Sequence, residues 1–171
     1  PVTGIWQTVW MEPVSPSHLS TIEVTSNIKK GTVTLRVTGA DLKPSDVVHA
    51  ELRTGPTSVQ AQIKGGSVEV PITAEPWTPD SPKLYEIDLE LKRDGKTIDT
   101  AKSYFAFREI ALGKDEQGVQ RLLLNGKPLF QMGPLDQGWW PDGLLTPPSE
   151  EAMLYDLQVL KEMGLNMLRK H

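Results

Sequence analysis

Across residues 18–107, apolar and polar positions alternate in short β-branched runs separated by turn residues. A period of two places alternate side chains on one face of a strand, so this stretch predicts an antiparallel β-sandwich. The cleanest run is Thr32-Val33-Thr34-Leu35-Arg36-Val37-Thr38, in which Val33, Leu35 and Val37 face the core. Leu19, Ile22 and Val24 are the apolar positions of the run before it, and further strands are expected at 47–53, 59–63, 67–72, 84–92 and 98–107. Asp94-Gly95 is a strong hairpin signal, because both central positions of a tight turn call for positive φ. Gly65-Gly66 reads as another turn and not as a phosphate loop, since no helix follows it. About seven strands in about 90 residues is the size of an immunoglobulin-like sandwich.

The pattern changes after Glu109. Arg121-Leu122-Leu123-Leu124, Asn125-Gly126 and Pro128-Leu129-Phe130-Gln131-Met132-Gly133 predict a small hairpin leading into a buried strand. A Pro/Gly/Trp-rich loop follows over 134–148. Ser149 then reads as the N-cap of a helix, with Glu150 and Glu151 in the first turn, Met153, Leu157 and Leu160 at helical spacing and Gly164 as the stop. Residues 165–169 predict one more strand. A strand, a helix and a strand in this order make a βαβ unit with parallel strands. One such unit cannot bury both faces of its strand pair, so it reads as the opening of a larger α/β domain. The expected fold class is therefore mainly β, an immunoglobulin-like β-sandwich followed by a partial (β/α) barrel segment.

Composition narrows the chemistry. Lys and Arg number 18 against 22 Asp and Glu in 171 residues, and a duplex-binding protein needs a surplus of cations, so nucleic acid is not an expected partner. No apolar run approaches the roughly 18 residues of a membrane span, and no membrane partner is expected. Cysteine is absent, which removes disulfides, thiolate metal sites and a Cys nucleophile together. It leaves the compartment open, a secreted or periplasmic one included. His18, His49 and His171 fall on different elements without an i,i+4 pair, so no metal site is expected; no cofactor is expected either. Pro1 stands where an initiating Met would, as expected of a piece of a longer polypeptide.

Five stretches carry a family resemblance. Gly4-Ile5-Trp6-Gln7-Thr8-Val9-Trp10-Met11-Glu12 resembles the final strand of the N-terminal sugar-binding jelly roll of glycoside hydrolase family 2, the group of β-galactosidases, β-glucuronidases and β-mannosidases. Pro76-Trp77-Thr78-Pro79-Asp80-Ser81-Pro82-Lys83-Leu84-Tyr85 is similar to the proline-rich turn of its immunoglobulin-like middle domain. Phe105-Ala106-Phe107-Arg108-Glu109 resembles the strand that ends that domain, with Ala106 where the family usually has Gly. Leu124-Asn125-Gly126-Lys127-Pro128-Leu129-Phe130 and Asn166-Met167-Leu168-Arg169 resemble the hairpin before the catalytic (β/α)₈ barrel and the barrel's second strand. The order and spacing of these motifs make the match specific. The resemblance implies domains at 1–14 (jelly-roll remnant), 15–110 (sandwich) and 111–171 (N-terminal piece of the barrel). It also implies a retaining β-glycosidase as parent, whose paired Glu residues belong to later barrel strands, and a carbohydrate as its substrate. A complete barrel needs about 250 residues, so the chain alone is expected to be inactive and to carry no catalytic residue.

The candidate substrate-binding residues of that parent are Asp136, Trp139, Trp140, Asp142, Arg169 and His171. Barrel sites form from the loops at the C-terminal ends of the strands, which is where 134–148 lies. Trp139 or Trp140 would stack on a sugar face and an Asp would accept from its hydroxyls. Equally, the tryptophans could plug the barrel mouth or pack on the sandwich, and a loop gives no reason for the two Asp to converge as an acid/base pair. The resemblance implies that Arg169 contacts the nucleophile carboxylate, keeping it ionised; a loop salt bridge is the plainer role. His171 falls one residue early against the family's usual order. Trp6, Trp10 and Trp77 read as packing residues. Two other functions stay open: a stand-alone sugar-binding or adhesion module, and an interaction module that self-associates through the unfinished parallel pair.

Overall fold

Alternation becomes burial in the computed structural model, which describes residues 3–5 and 7–171. Seven antiparallel strands form first: β1 (His18–Asn27), β2 (Thr32–Ala40), β3 (Val47–Arg53), β4 (Ser58–Ile63), β5 (Ser67–Pro71), β6 (Tyr85–Arg93) and β7 (Lys96–Phe105). They make two sheets, ordered β1-β2-β5 and β4-β3-β6-β7, the layout of an immunoglobulin-like sandwich. Val33, Leu35 and Val37 are buried as their period requires, and Leu52, Ile87 and Leu89 of the second sheet close on them.

Irregular positions have local causes. Leu19, Ile22 and Val24 all pack against the core although the first interval is three residues. A β-bulge between Leu19 and Thr21 absorbs the odd residue and returns the strand to register. Asp94 and Gly95 turn β6 into β7 with φ of 50° and 77°. Pro71, which has no N–H to donate, ends the edge strand β5.

At the β5–β6 corner the Tyr85 hydroxyl accepts from Glu75 N at 2.9 Å and donates to Glu75 O at 3.0 Å. This is the corner device by which such sandwiches tie the loop before the sixth strand to its first residue. Opposite it, Arg93 donates twice to the Asp46 carboxylate at 2.8 and 2.7 Å and once to Ser17 Oγ at 3.0 Å. The Asp46 side chain is 3% exposed, and both of its carboxylate oxygens are paired with Arg93.

Beyond the sandwich, β8 (Ile110–Lys114), β9 (Gln120–Leu124) and β10 (Lys127–Pro128) form an antiparallel sheet in the order β10-β9-β8. The sequence signalled β9 and its turn but not β8, whose Gly113 interrupts the apolar pattern. The last elements are β11 (Leu135–Asp136), α1 (Glu150–Glu162) and β12 (Arg169–Lys170). Ser149 caps α1, its side chain accepting from Ala152 N at 3.2 Å. Gly164 ends the helix with φ of 82°. The strands expected on either side of α1 shorten to two residues each, and the stretch 129–134 forms no regular element.

The described chain divides into two compact units, Pro13–Leu129 and Pro1–Glu12 with Phe130–His171. Residues 3–5 and 7–17 form no strand although part of their sequence resembles one. A strand is held by a neighbour's ladder, and no described segment pairs with them. Trp10 is accordingly exposed; Trp6 lies outside the described residues.

Candidate functional site

The site begins with backbone. β11 and β12 pair in parallel, Leu135 opposite Arg169 and Asp136 opposite Lys170. Parallel strands end at the same edge, so the loop after β11 and His171 after β12 emerge together. Two residues bring the segments close enough to pair. Asn166 accepts on Oδ1 from Met132 N at 2.9 Å and donates through Nδ2 to Phe130 O at 2.9 Å, while its backbone N donates to Met132 O at 3.0 Å. At Gly133 any added Cβ would collide with the Met167 carbonyl, so only glycine permits the approach.

Asp136 is fully engaged. Its Oδ2 accepts from Lys170 Nζ at 2.7 Å and its Oδ1 from Gly138 N at 2.7 Å, and its carbonyl accepts from His171 N at 2.8 Å. The Lys170 ammonium first, and then the Gly138 N–H, hold its carboxyl below the usual carboxylate range. It is therefore ionised at neutral pH and serves as an acceptor, not as a general acid. Further along, Trp140 N donates to Leu144 O at 2.7 Å and Leu144 N returns the bond to Trp140 O at 3.2 Å. The loop closes with Leu144 at φ of 54°, an uncommon conformation for a bulky side chain, and Asp142 lies at its exposed tip.

An open cleft of about 1450 Å³ separates α1 from the strand pair. Asp136, Trp139, Trp140 and His171 line the strand side, with Met153 and Leu157 opposite on α1. Trp139 is 55% exposed, which leaves its ring available for stacking. Of the six expected residues the cleft gathers Asp136, Trp139, Trp140 and His171 and leaves out Asp142 and Arg169. Arg169 lies between Leu168 and Lys170, both on the cleft wall, and strand alternation sends it to the opposite face. One pocket cannot hold the ends of both Arg169 and Lys170.

Lys170, Asn166 and Gly133 were not singled out by sequence. Lys170 follows only once the register opposes it to Asp136. Asn166 carried one signal, a polar residue inside an apolar segment. A shallower trough of about 750 Å³ lies on the outer face of the β4-β3-β6-β7 sheet. Most of its charges are matched internally, Arg53 by Glu51, Glu86 and Asp88, and Lys92 by Glu90. Its wall has no aromatic platform, so it reads as a solvated face. Among the described residues no group of three or more His, Asp or Glu could hold a metal ion.

Comparison with known proteins places this architecture. The family model described as "Glycosyl hydrolases family 2" matches residues 7–108. A beta-galactosidase of Lactobacillus delbrueckii subsp. bulgaricus is 22% identical over 181 aligned positions, covering 98% of this chain and 17% of that protein. A beta-galactosidase of Streptococcus thermophilus is 30% identical over 95 residues, 56% of this chain and 9% of that protein. Among solved structures, the GH2 beta-galacturonidase from Eisenbergiella tayi bound to galacturonate superposes with a TM-score of 0.70 at 25% identity, covering 91% of this chain and 29% of that one. The chain thus spans a minor part of the length of the relatives it matches.

Proposed function

The chain belongs to glycosyl hydrolase family 2, and on that premise we propose that it is a piece of a retaining β-glycosidase. In this reading residues 15–110 are the sandwich that carries the catalytic domain, residues 111–171 open the (β/α)₈ barrel, and residues 1–14 end a sugar-binding jelly roll. The observation that carries it is the parallel pairing of β11 with β12 through α1, which follows the sandwich and the β8–β10 hairpin in the chain. That unit is the repeating element of a barrel, and it delivers the loop after β11 and His171 to the edge where barrel enzymes bind substrate.

The chemistry is divided accordingly. A retaining glycosidase needs two carboxyl groups roughly 5–5.5 Å apart, one attacking the anomeric carbon and one shuttling the proton to and from the glycosidic oxygen. Asp136 is committed to Lys170 and Gly138, and Asp142 is on a loop tip away from it, so the pair comes from other barrel strands. Within a closed barrel, Arg169 on the face away from α1 looks inward, where its guanidinium would hold the nucleophile carboxylate ionised. Asp136 and Lys170 shape the substrate loop, and the exposed Trp139 ring offers a stacking face to a sugar.

The pure 171-residue chain, free of host glycosidases, is expected to release no aryl alcohol from a panel of aryl β-glycosides. Turnover would overturn the division of labour. A second reading, a sugar-binding module, is favoured by the exposure of Trp139 beside the cleft. It requires saturable heat on titrating mono- and oligosaccharides, abolished by Trp139→Ala; silence in calorimetry removes it.

A further inference from the structure

We propose that Asn125 is a latch that joins the β8–β10 hairpin to the sandwich as one rigid piece, with the loop over 75–83 as its preformed seat. The turn accounts for only part of the choice. Residue 125 sits with Gly126 at φ of 51° and 79°, a conformation that favours Asn-Gly but that glycine would serve at residue 125 as well. What asparagine adds is a side chain with one acceptor and one donor, and both are used. Its Oδ1 accepts from Glu109 N at 3.0 Å, on the segment leaving β7. Its Nδ2 donates to Trp77 O at 2.9 Å, 48 positions away in sequence. The Asn125 backbone N also donates to Glu109 O at 2.8 Å.

The receiving side is stiff without Asn125. Trp77 N donates to Phe107 O at 2.9 Å, so both backbone polar groups of Trp77 are tied, one to the exit from β7 and one to the hairpin. Phe107 itself is buried in the core. The Arg108 guanidinium lies 4.6 Å over the Trp77 ring. Tyr85 grips Glu75 by two bonds, Thr78 and Ser81 exchange backbone bonds at 3.1 Å, and the Glu75 carboxylate takes Lys83 and Ser81. Pro76, Pro79 and Pro82 fix three φ angles in the same stretch. Only residues 106–109 connect β7 to β8, and such a linker by itself is a hinge. Two bonds from one side chain to segments distant in sequence remove that freedom.

Asn125 is thus a positioning residue, and the direction in which the chain leaves β10 is set by the sandwich. Its purpose rests on the function proposed above, because a barrel opening needs a fixed start; the latch itself rests on the hydrogen bonds. Residual dipolar couplings on the full 171-residue chain test it. In the unaltered protein one alignment tensor is expected to fit the amides of β2, β3 and β6 together with those of β8 and β9. Asn125→Gly keeps the turn and loses both side-chain bonds. It is expected to give the hairpin its own, weaker tensor and to raise exchange of the Glu109 amide roughly 10- to 100-fold, leaving β3 and β6 unchanged. Asn125→Asp keeps the acceptor for Glu109 N, loses the donor to Trp77 O and should fall between, which preserves a test if the glycine variant does not fold. Two tensors in the unaltered protein, one shared tensor in both variants, or equal loss of protection everywhere would overturn the latch. Glycoside turnover by the chain would sink the functional reading and leave the latch standing.

Discussion

In the sandwich, Leu35, Leu52, Ile87, Leu89 and Leu91 are sealed from water, whereas in α1 Leu154, Leu157 and Tyr155 are 54%, 51% and 65% exposed and no residue is buried. Local signals are as clear in one region as in the other. The helix has its cap, its acidic first turn and its stop, and the strands have their alternation and turns. What separates the regions is closure. Two sheets within residues 18–107 turn their apolar faces on each other, while a two-stranded parallel pair with one helix has nothing to cover its second face. Regular secondary structure needs only its own hydrogen bonds and a cap; a core needs a second layer.

That contrast predicts a gradient of effects. Leu35→Ala should remove about 2–5 kcal/mol of stability in urea denaturation followed by tryptophan fluorescence; a loss below about 1 kcal/mol would mean the two sheets are not sealed together. Tyr85→Phe strands both polar groups of Glu75 and should cost about 1–3 kcal/mol in the same assay. Acidification tests the sandwich differently. Arg93 first, and then the Lys43 N–H, lower Asp46 from 3.8 to about 2. Between these values the native state binds fewer protons than the unfolded chain, so stability should fall as pH drops from about 4 toward 2. Asp46→Asn should flatten that part of the profile; an unchanged slope would assign it to other carboxylates. Ser149→Ala should lose about 1 kcal/mol of helix stability, read as reduced ellipticity at 222 nm with the urea midpoint of the sandwich unmoved. Leu157→Ala should change the unfolding free energy of the sandwich by no more than about 0.5 kcal/mol, and a core-sized loss would erase the contrast altogether.

The seven sandwich strands were legible because each carries its own period of two, and even the bulge in β1 is foreshadowed by the three-residue step from Leu19 to Ile22. The parallel order of β11 and β12 was legible from the helix between them. Among the described residues no strand is present at 4–5 and 7–12, since pairing is a property of a neighbour and not of a segment. β8 passed unnoticed because Gly113 hides its alternation. At the site, Trp139 and Asp136 stood out by type, but the partners that define them did not.

The kinds and order of the elements therefore follow from residue pattern alone: spacing, caps and turn residues act over a few positions and need no distant contact. The separation of Arg169 from Lys170 onto opposite faces, the engagement of Asp136, the glycine required at position 133 and the double duty of Asn125 depend on strand register or on groups far apart in sequence, from 16 to 48 residues. A one-residue slip in that register would exchange the faces. Only the folded chain, by bringing those distant groups within hydrogen-bonding reach, could decide them.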